Sequence, residues 1–291
     1  MNNINIATIA DKNYLPYLKV TLSSLTENTG SYLTVYCILS ESVDISFYSF
    51  LEQIKCTYSN FDYKIIDYHN RKIEFSSKNH VSPTAYLKIN LPSILSFLDT
   101  VIYLDSDLLI RSDIKKLWNL FDDTALIQAV WNPGYNYDNF SFDQDLDYQT
   151  FNSGVMILNL KKMREDDSEE KLKRFLHEKN SLTSLNDQAA FNAVFQEWGR
   201  LPETWNAQYC FFYKKNKNLI KCQKKRNEVL NNPKILHFTS NSKPWLYRNC
   251  HPFKKEYMSA LKKVEDGYVY PDKSFKSFLQ RTIELKKNKL W

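Results

Sequence analysis

Two carboxylates stand one residue apart at the end of an apolar run. Residues 101–104 have the sequence VIYL, and Asp105-Ser106-Asp107 follows directly. In open α/β sheets, ligands bind beyond the carboxyl ends of the strands, which is where these acids would lie. Hard anionic oxygens at this spacing can hold Mg²⁺ or Mn²⁺, and such a metal can bridge to phosphate oxygens. Asp105 and Asp107 are therefore candidate metal ligands, with simple strand-end capping as the alternative.

A second segment repeats the same spacing of acids. Asp143, Asp145 and Asp147 form two overlapping D-x-D matches. No apolar strand precedes them, and their surroundings are rich in Tyr and Asn. We interpret this segment as a solvated loop, so the D-x-D spacing alone is a weak signal.

His237 and Lys243 form the next candidate pair. His237 closes the apolar stretch Ile235-Leu236, and Lys243 follows six residues later, directly before Pro244-Trp245. A lone His in this setting is more often a structural residue than a ligand. The five glycines of the chain lie far apart, which excludes both common glycine-rich phosphate loops. A metal-ligating imidazole beside an ammonium group would suit a diphosphate in a chain without such a loop.

Two further polar pairs precede regular elements. Asn152-Ser153 stands just before an apolar run that begins at Val155, and Asp187-Gln188 opens a predicted helix. Acid and amide side chains are also favourable as N-terminal helix caps, which is the structural alternative for the second pair.

Alternating apolar and polar segments must position these residues. The first seventy residues predict strands at 4–9, 32–39 and 62–67, with helices at 15–27 and 44–55 between them. This order favours a doubly wound α/β sheet, in which apolar strands are buried on both faces. The remaining predicted elements are a helix at 84–97, strands at 101–104, 125–130 and 154–160, and helices at 169–180 and 186–197.

Composition limits the class of protein. Of 291 residues, 43% are hydrophobic and 25% charged, a balance that suits one large globular domain. The net charge of +6 is mild and indicates no nucleic-acid partner. The five cysteines form no C-x-x-C pair, which argues against a zinc site or a disulfide framework. Without a leader-like N-terminus or a run of 18 apolar residues, the sequence predicts a cytoplasmic protein.

Taken in order, these motifs resemble glycosyltransferase family 8, the retaining GT-A-fold group that includes bacterial lipooligosaccharide galactosyltransferases and glycogenin. The resemblance runs from about residue 4 to residue 250. It rests on Ala10-Asp11-Lys12-Asn13-Tyr14, Tyr86-Leu87-Lys88, Asp105-Ser106-Asp107, Phe151-Asn152-Ser153-Gly154, Asp187-Gln188, and His237 with Lys243-Pro244-Trp245. Several ordered motifs are far more specific than any one of them.

The resemblance implies a retaining hexosyltransferase that uses a UDP-sugar, with Mn²⁺ as the favoured metal and Mg²⁺ as the alternative. Asp105, Asp107 and His237 would be the metal ligands, and Lys243 would face the leaving diphosphate. Asp187 would orient sugar hydroxyls, and Gln188 would lie near the β-face of the anomeric carbon. The implied contacts to the donor are Ala10, Asp11, Asn13, Tyr14, Lys88, Asp105, Ser106, Asp107, Asn152, Ser153, Asp187, Gln188, His237, Ser240 and Lys243.

Two positions depart from the family pattern. Lys88 stands where the family usually has Arg, so planar bidentate contacts are lost while the positive charge remains. Ser240 stands where the family commonly has Gly near the diphosphate, and Gly often permits close backbone approach.

The implied activity is transfer of galactose or glucose to a saccharide, lipid-linked or glycoprotein acceptor. The residues do not separate a front-face route from a double displacement. One alternative is a sugar-nucleotide pyrophosphorylase, but such enzymes usually need a glycine-rich loop after the first strand, and residues 10–14 contain no glycine. The other alternative is a catalytically inactive sugar-nucleotide or membrane-binding protein on the same fold.

The C-terminus forms a separate basic segment. We assign residues 1–270 to the catalytic domain and residues 271–291 to a tail that carries six basic and two acidic side chains. Apolar residues recur at helical spacing in Ser274–Trp291, at Phe275, Phe278, Leu279 and Ile283. A basic amphipathic helix suits the surface of an anionic membrane, which would place the protein peripherally on the inner face of the cytoplasmic membrane. The alternative is that these four residues pack on the catalytic domain.

Overall fold

Most strands of the central sheet are deeply buried. The computed structural model describes residues 3–69, 83–133, 150–179, 187–239 and 241–288. The strands in these ranges are β1 (Ile4–Ala10), β2 (Leu33–Leu39), β3 (Phe61–Asp67), β4 (Thr100–Leu104), β5 (Leu108–Ile110), β6 (Ile127–Trp131), β7 (Phe151–Asn159), β8 (Gly199–Arg200), β9 (Ala207–Gln208) and β10 (Ile235–His237). Seven of them pair in the order β3-β2-β1-β4-β7-β6-β8. Only β7 runs antiparallel to its neighbours in this sheet, so the mostly parallel α/β sheet expected from the sequence is confirmed.

Strand β1 shows why these apolar runs form a central sheet. Ile4 and Ile6 belong to one buried apolar cluster, whereas Ala7 and Ile9 belong to another. Successive side chains of a strand point to opposite faces, so the strand contributes to a core on each side. Helices must therefore cover both faces of the sheet.

Of the five helices predicted before residue 200, four are confirmed and one is wrong, and several further helices were not predicted. The α-helices of the described residues are α1 (Leu15–Asn28), α2 (Ile45–Thr57), α3 (Leu91–Ile94), α4 (Lys115–Trp118), α5 (Leu160–Glu165), α6 (Ser168–Lys179), α7 (Asp187–Val194), α8 (Gln223–Asn231), α9 (Lys254–Val264) and α10 (Phe275–Asn288). The continuous helix predicted at 84–97 is wrong, because a 3₁₀-helix at Pro83–Asn90 precedes the short α3. Pro92 lies in the first turn of α3, where its missing N–H is tolerated, whereas a helix that began at residue 84 would need that N–H to bond to the carbonyl of Lys88.

A second, smaller sheet brings the C-terminal half of the chain to the edge of the first. Its strand order is β5-β10-β9. Strand β10 is antiparallel to β5, with His237 opposite Leu108, and parallel to β9, with His237 opposite Gln208. Since β5 begins directly after Asp107, this pairing places His237 beside the strand-end acids.

The C-terminal helix α10 contacts the rest of the chain through polar side chains. Arg281 Nη1 donates to the carbonyl of Tyr247 at 3.2 Å, and Glu284 accepts from the hydroxyl of Tyr209 at 2.9 Å. Ser277, on the same side of the helix, is buried. Hydrogen bonds and ion–aromatic contact, rather than apolar packing, therefore hold this helix.

The apolar side of α10 faces outward. Phe275, Phe278, Leu279 and Ile283 are 77%, 50%, 46% and 51% exposed. The alternative in which these four residues pack on the catalytic domain is therefore wrong. Every helix within the described ranges is too short or too polar to span a bilayer.

Candidate active site

A cleft of about 290 Å³ lies where the two sheets meet. Strands β1 and β4 run in the same direction and end there, and the antiparallel β7 begins there. Most of the residues singled out from the sequence line this cleft. They are Ala10, Asp11, Tyr14, Lys88, Asp105, Ser106, Asp107, Asn152, Ser153, Asp187, Gln188, His237 and Lys243.

One predicted donor contact within the described residues, Asn13, is not part of this lining. Asn13 is exposed, and its backbone N–H donates to the carboxylate of Asp11 at 3.0 Å. That bond makes Asn13 part of the turn that holds Asp11, which is buried. Ser240 lies outside the described residues, as do the acids at 143–147.

Asp105, Asp107 and His237 form a compact group of metal-ligating side chains. One ligand atom from each residue lies within 4.8 Å of the others. His237 Nε2 is 3.2 Å from Asp107 Oδ1 and 3.7 Å from Asp105 Oδ2. Two carboxylate oxygens and an imidazole nitrogen suit Mn²⁺ or Mg²⁺.

Gly154 lets two side chains of this group pack directly against its backbone. A Cβ at this position would collide with His237 Cε1 and Asp105 Oδ2. Gly154 lies in β7, paired antiparallel to β4, so its backbone runs beside the residue that follows β4, Asp105. The close approach of the three side chains therefore depends on a glycine here, and their donor set fits a divalent metal.

Lys243 is paired with one of these carboxylates. Its Nζ lies 2.5 Å from Asp107 Oδ2 and 2.8 Å from the carbonyl oxygen of Phe238. Burial alone would raise the pKa of Asp107, but the ammonium of Lys243 opposes it, and that pKa lies below its usual value. Burial would lower the pKa of Lys243, but Asp107 outweighs it and raises that pKa. Both groups are therefore charged at neutral pH.

Lys88 joins the metal-ligand group to the Asp187 end of the cleft. Its buried Nζ lies 3.0 Å from Asp105 Oδ1 and 2.9 Å from Asp187 Oδ2. Burial acts to lower the pKa of Lys88, but the two carboxylates outweigh this and raise it. Asp105 Oδ1 also accepts from the hydroxyl of Tyr103 at 2.8 Å. One ammonium thus fixes two carboxylates from distant segments, and Oδ2 of Asp105 remains directed toward His237.

Asp187 and Gln188 open helix α7 and are held by the start of β7. Ser153 Oγ donates to Asp187 Oδ2 at 3.1 Å. Gln188 Oε1 accepts from Asn152 Nδ2 at 3.0 Å and from the backbone N–H of Ser153 at 3.3 Å. Both side chains are buried, so their orientation is fixed by these partners.

Sequence reasoning missed several residues of the site. The cleft is also lined by Ile9, Thr84, Ala85, Tyr103, Thr239 and Asn241. Tyr103 could have been identified, because it lies on β4 two residues before Asp105, which directly follows that strand. Asn206 lies behind the cleft and contacts His237, but no motif in the sequence marks it.

The fold and the site together define a known family. Residues 5–249 match the family model described as "Glycosyl transferase family 8". This range contains every element that contributes to the cleft. The chain therefore belongs to glycosyltransferase family 8.

Individual relatives give a consistent picture. General stress protein A of Bacillus subtilis is 32% identical over 62% of this chain, and the match spans 65% of that protein, less than two thirds of its length. Lipopolysaccharide 1,2-glucosyltransferase of Escherichia coli K12 is 24% identical over 89% of this chain and 77% of that protein. The structure of galactosyltransferase LgtC in complex with donor and acceptor sugar analogs superposes with a TM-score of 0.72. That superposition covers 95% of this chain and 100% of LgtC at 17% identity, which establishes a common GT-A fold.

Proposed function

We propose that this protein transfers a hexose, galactose or glucose, from a UDP-sugar to a saccharide acceptor, with retention of anomeric configuration and with a divalent metal. The main support is that one cleft brings together the Asp105, Asp107 and His237 group, the ammonium of Lys243, and the Asp187-Gln188 pair. The chain's similarity to a lipopolysaccharide glucosyltransferase and to a galactosyltransferase favours a hexose and a glycan acceptor.

The side chains divide into two groups by their chemistry. Asp105, Asp107 and His237 would hold Mn²⁺ or Mg²⁺, and a metal bound there supplies positive charge to the diphosphate of the leaving group. Lys243 adds a second fixed positive charge. Preorganised charges aimed at a leaving group are usually the largest catalytic contribution, with one such group worth roughly 10²–10³ in rate.

The hydrogen bonds at Gln188 favour a front-face route over a double displacement. Gln188 is an uncharged amide, and its oxygen already accepts two hydrogen bonds. Asp187 is held by Lys88 and Ser153. A neutral amide whose oxygen is already engaged is a poor nucleophile at the anomeric carbon, and Asp187 is oriented by its two partners rather than by Gln188. In the front-face route, the bond between that carbon and the UDP oxygen breaks, the acceptor oxygen bonds on the same face, and the acceptor proton passes to the leaving phosphate.

Release of UDP from a panel of nucleotide sugars tests this proposal. UDP-galactose, UDP-glucose, UDP-GlcNAc and UDP-GalNAc are incubated with the protein and Mn²⁺, with and without EDTA. We expect turnover of a UDP-hexose that EDTA abolishes and Mn²⁺ restores. Single replacements of Asp105, Asp107 or His237 by Ala should remove most activity, whereas Asp113→Ala, a near-surface control, should not.

The opposite results are equally informative. Full activity in EDTA would refute the metal site. Turnover that requires UTP or pyrophosphate would identify a pyrophosphorylase instead. Binding of UDP-sugars without release of UDP, for every donor and a range of glycan acceptors, would identify an inactive binding protein.

We propose further that residues 271–291 form a tail that binds an anionic membrane, and that residues 1–270 form the catalytic domain. The support is the outward apolar side of α10, together with the exposed basic residues Lys273, Lys276 and Lys286. Each basic residue near an anionic surface contributes roughly 1 kcal/mol. The protein would thus act on a lipid-linked acceptor at the inner face of the cytoplasmic membrane.

Cosedimentation with phosphatidylglycerol vesicles tests the tail. We expect binding at low salt and release at high salt, since the attraction is screened. The double variant Phe278→Ser, Leu279→Ser should lose binding and keep hydrolysis of a UDP-sugar. Gln280→Ser, at an exposed position of the same helix, is the matched control. Equal binding by the double variant would refute the membrane proposal.

A further inference from the structure

We infer that Asn206 is a positioning residue that sets the tautomer of His237 and links the metal-ligand group to Gln188. The inference rests on the proposed metal site and deepens it. Asn206 ends the 3₁₀-helix Glu203–Asn206 and is fully buried. It directly precedes β9, whose Gln208 pairs with His237. The second sheet therefore delivers the Asn206 amide to the back of the imidazole ring.

The orientation of each amide in this network follows from backbone groups. Asn152 accepts from the backbone N–H of Gly154 at 3.0 Å, so the atom of Asn152 at that place must be its oxygen. That same oxygen accepts from the Asn206 amide at 2.9 Å, so Asn206 must present its NH₂ group there. The other end of Asn206, which lies 2.9 Å from His237 Nδ1, is therefore its oxygen.

This orientation determines the tautomer of neutral His237. An amide oxygen only accepts hydrogen bonds, so Nδ1 must carry the proton and donate it to Asn206 Oδ1. Nε2 then presents a lone pair toward Asp107 Oδ1 at 3.2 Å and Asp105 Oδ2 at 3.7 Å. Three electron-rich atoms converge in this arrangement, which suits a cation between them.

The contact between His237 Nδ1 and Asn206 Oδ1 disfavours the other neutral tautomer, in which the proton is on Nε2. With the proton on Nε2, that group could donate to Asp107 Oδ1 at 3.2 Å, but the lone pair of Nδ1 would face the oxygen of Asn206 at 2.9 Å within the buried network. Asn206 cannot relieve this by rotating its amide, because its NH₂ group would leave the oxygen of Asn152. Asn206 thus holds His237 in its metal-binding form.

The network continues from Asn152 to Gln188. Asn152 Nδ2 donates to Gln188 Oε1, which also accepts from the backbone of Ser153. A line of amide groups therefore runs from the imidazole of His237 to the Gln188 side chain. Asn206 touches neither substrate nor metal in this arrangement, so its effect is transmitted through His237 and Asn152.

Affinity for Mn²⁺ alone, measured by calorimetry without nucleotide sugar, tests the first half of the inference. Loss of the partner of a metal-bound His typically weakens metal affinity 10- to 100-fold, which is the effect expected for Asn206→Leu. Asn206→Asp keeps an acceptor for Nδ1–H and should retain wild-type Mn²⁺ affinity or bind more tightly. It loses the donor to Asn152, so its kcat should fall without a matching rise in KM for the UDP-sugar.

A control separates this effect from general damage to the core. Asn159 is another buried amide, which caps α5 by accepting from the backbone of Lys162 at 3.0 Å. Asn159→Leu should lower the melting temperature and leave Mn²⁺ affinity unchanged. Equal Mn²⁺ affinity in the wild type and in Asn206→Leu would overturn the inference.

A spectroscopic measurement on the wild-type protein covers the case in which the variants fail to fold. The ¹⁵N spectrum of the imidazole of metal-free protein, with His237→Gln to assign the signal, should show the Nδ1–H tautomer for the neutral ring. The Nε2–H tautomer would overturn the inference. If wild-type protein does not bind Mn²⁺ at all, the proposed metal site fails, while the tautomer still decides the role of Asn206.

Discussion

Replacement of Lys243 by Met should change metal binding and catalysis in opposite directions. Lys243 Nζ lies 2.5 Å from Asp107 Oδ2, and the pair is largely buried. A metal ion at Asp107 must compete with this ammonium for the same carboxylate. A hydrogen bond to a charged group contributes about 1.5–3 kcal/mol, which corresponds to roughly ten- to a hundredfold in affinity. Lys243→Met should therefore bind Mn²⁺ alone at least about tenfold more tightly than the wild type.

Catalysis should respond in the other direction. With the UDP-sugar bound, we expect Lys243 to face the leaving diphosphate, where negative charge grows as the sugar departs. Loss of this charge should lower kcat by roughly 10²–10³. Because the interaction strengthens in the transition state, the effect should appear in kcat and not only in KM.

Two measurements on one variant decide the matter. Calorimetric titration with Mn²⁺ in the absence of nucleotide gives the first affinity, and UDP release under saturating donor gives kcat. Lys19→Met is the control, since Lys19 forms a comparable ion pair with Glu265 at 2.7 Å on another part of the chain. Weaker or unchanged Mn²⁺ binding would show that Lys243 does not compete for Asp107. Unchanged kcat would show that it does not face the leaving group.

Three further outcomes are expected. Gly154→Ala places a methyl group against His237 and Asp105, so Mn²⁺ affinity measured by calorimetry should be lost, while the overpacking costs about 1–3 kcal/mol in a urea titration. Lys88→Arg should retain kcat, because a guanidinium can still bridge the two carboxylates, whereas Lys88→Met should lower it, as measured by UDP release. Burial lowers the pKa of His251 from its usual 6.5 to about 3. Between these two pH values, His251 binds a proton in the unfolded chain but not in the folded chain. The free energy of unfolding should therefore decrease below pH 6.5 by up to about 1.4 kcal/mol per pH unit, and urea titrations of His251→Phe should show a shallower decrease.

The sequence predicted the fold well where elements are long. Strands such as β2 are continuous apolar runs, and helices such as α1 place leucines on one face, so periodicity alone identifies them. The helix predicted at 84–97 failed at Pro92, where the missing N–H overrides the apolar pattern. Strands β5, β9 and β10 have only two or three residues each, which is too short for any period to appear.

The sequence predicted those site residues that belong to short motifs next to a recognisable strand or helix. Asp105-Ser106-Asp107 follows its strand directly, so the position of both acids can be inferred from neighbouring residues. Asn206 could not be inferred in this way, because its role depends on a contact with His237 across two sheets. The orientation of α10 was equally hidden, since the sequence identifies its apolar side but not which side the rest of the chain will bind.

The position of the cleft between the two sheets has a consequence for the cooperativity of the molecule. Asp105 comes from the end of the central sheet and His237 from the small sheet, so any ligand held by both joins the two sheets together. Such a ligand stabilises only the assembled arrangement, by about 2.7 kcal/mol when its concentration is a hundred times its dissociation constant. Ligand binding and the contact between the two sheets are thus thermodynamically coupled. Conditions that separate the sheets lower the affinity for the ligand, and the ligand in turn opposes their separation.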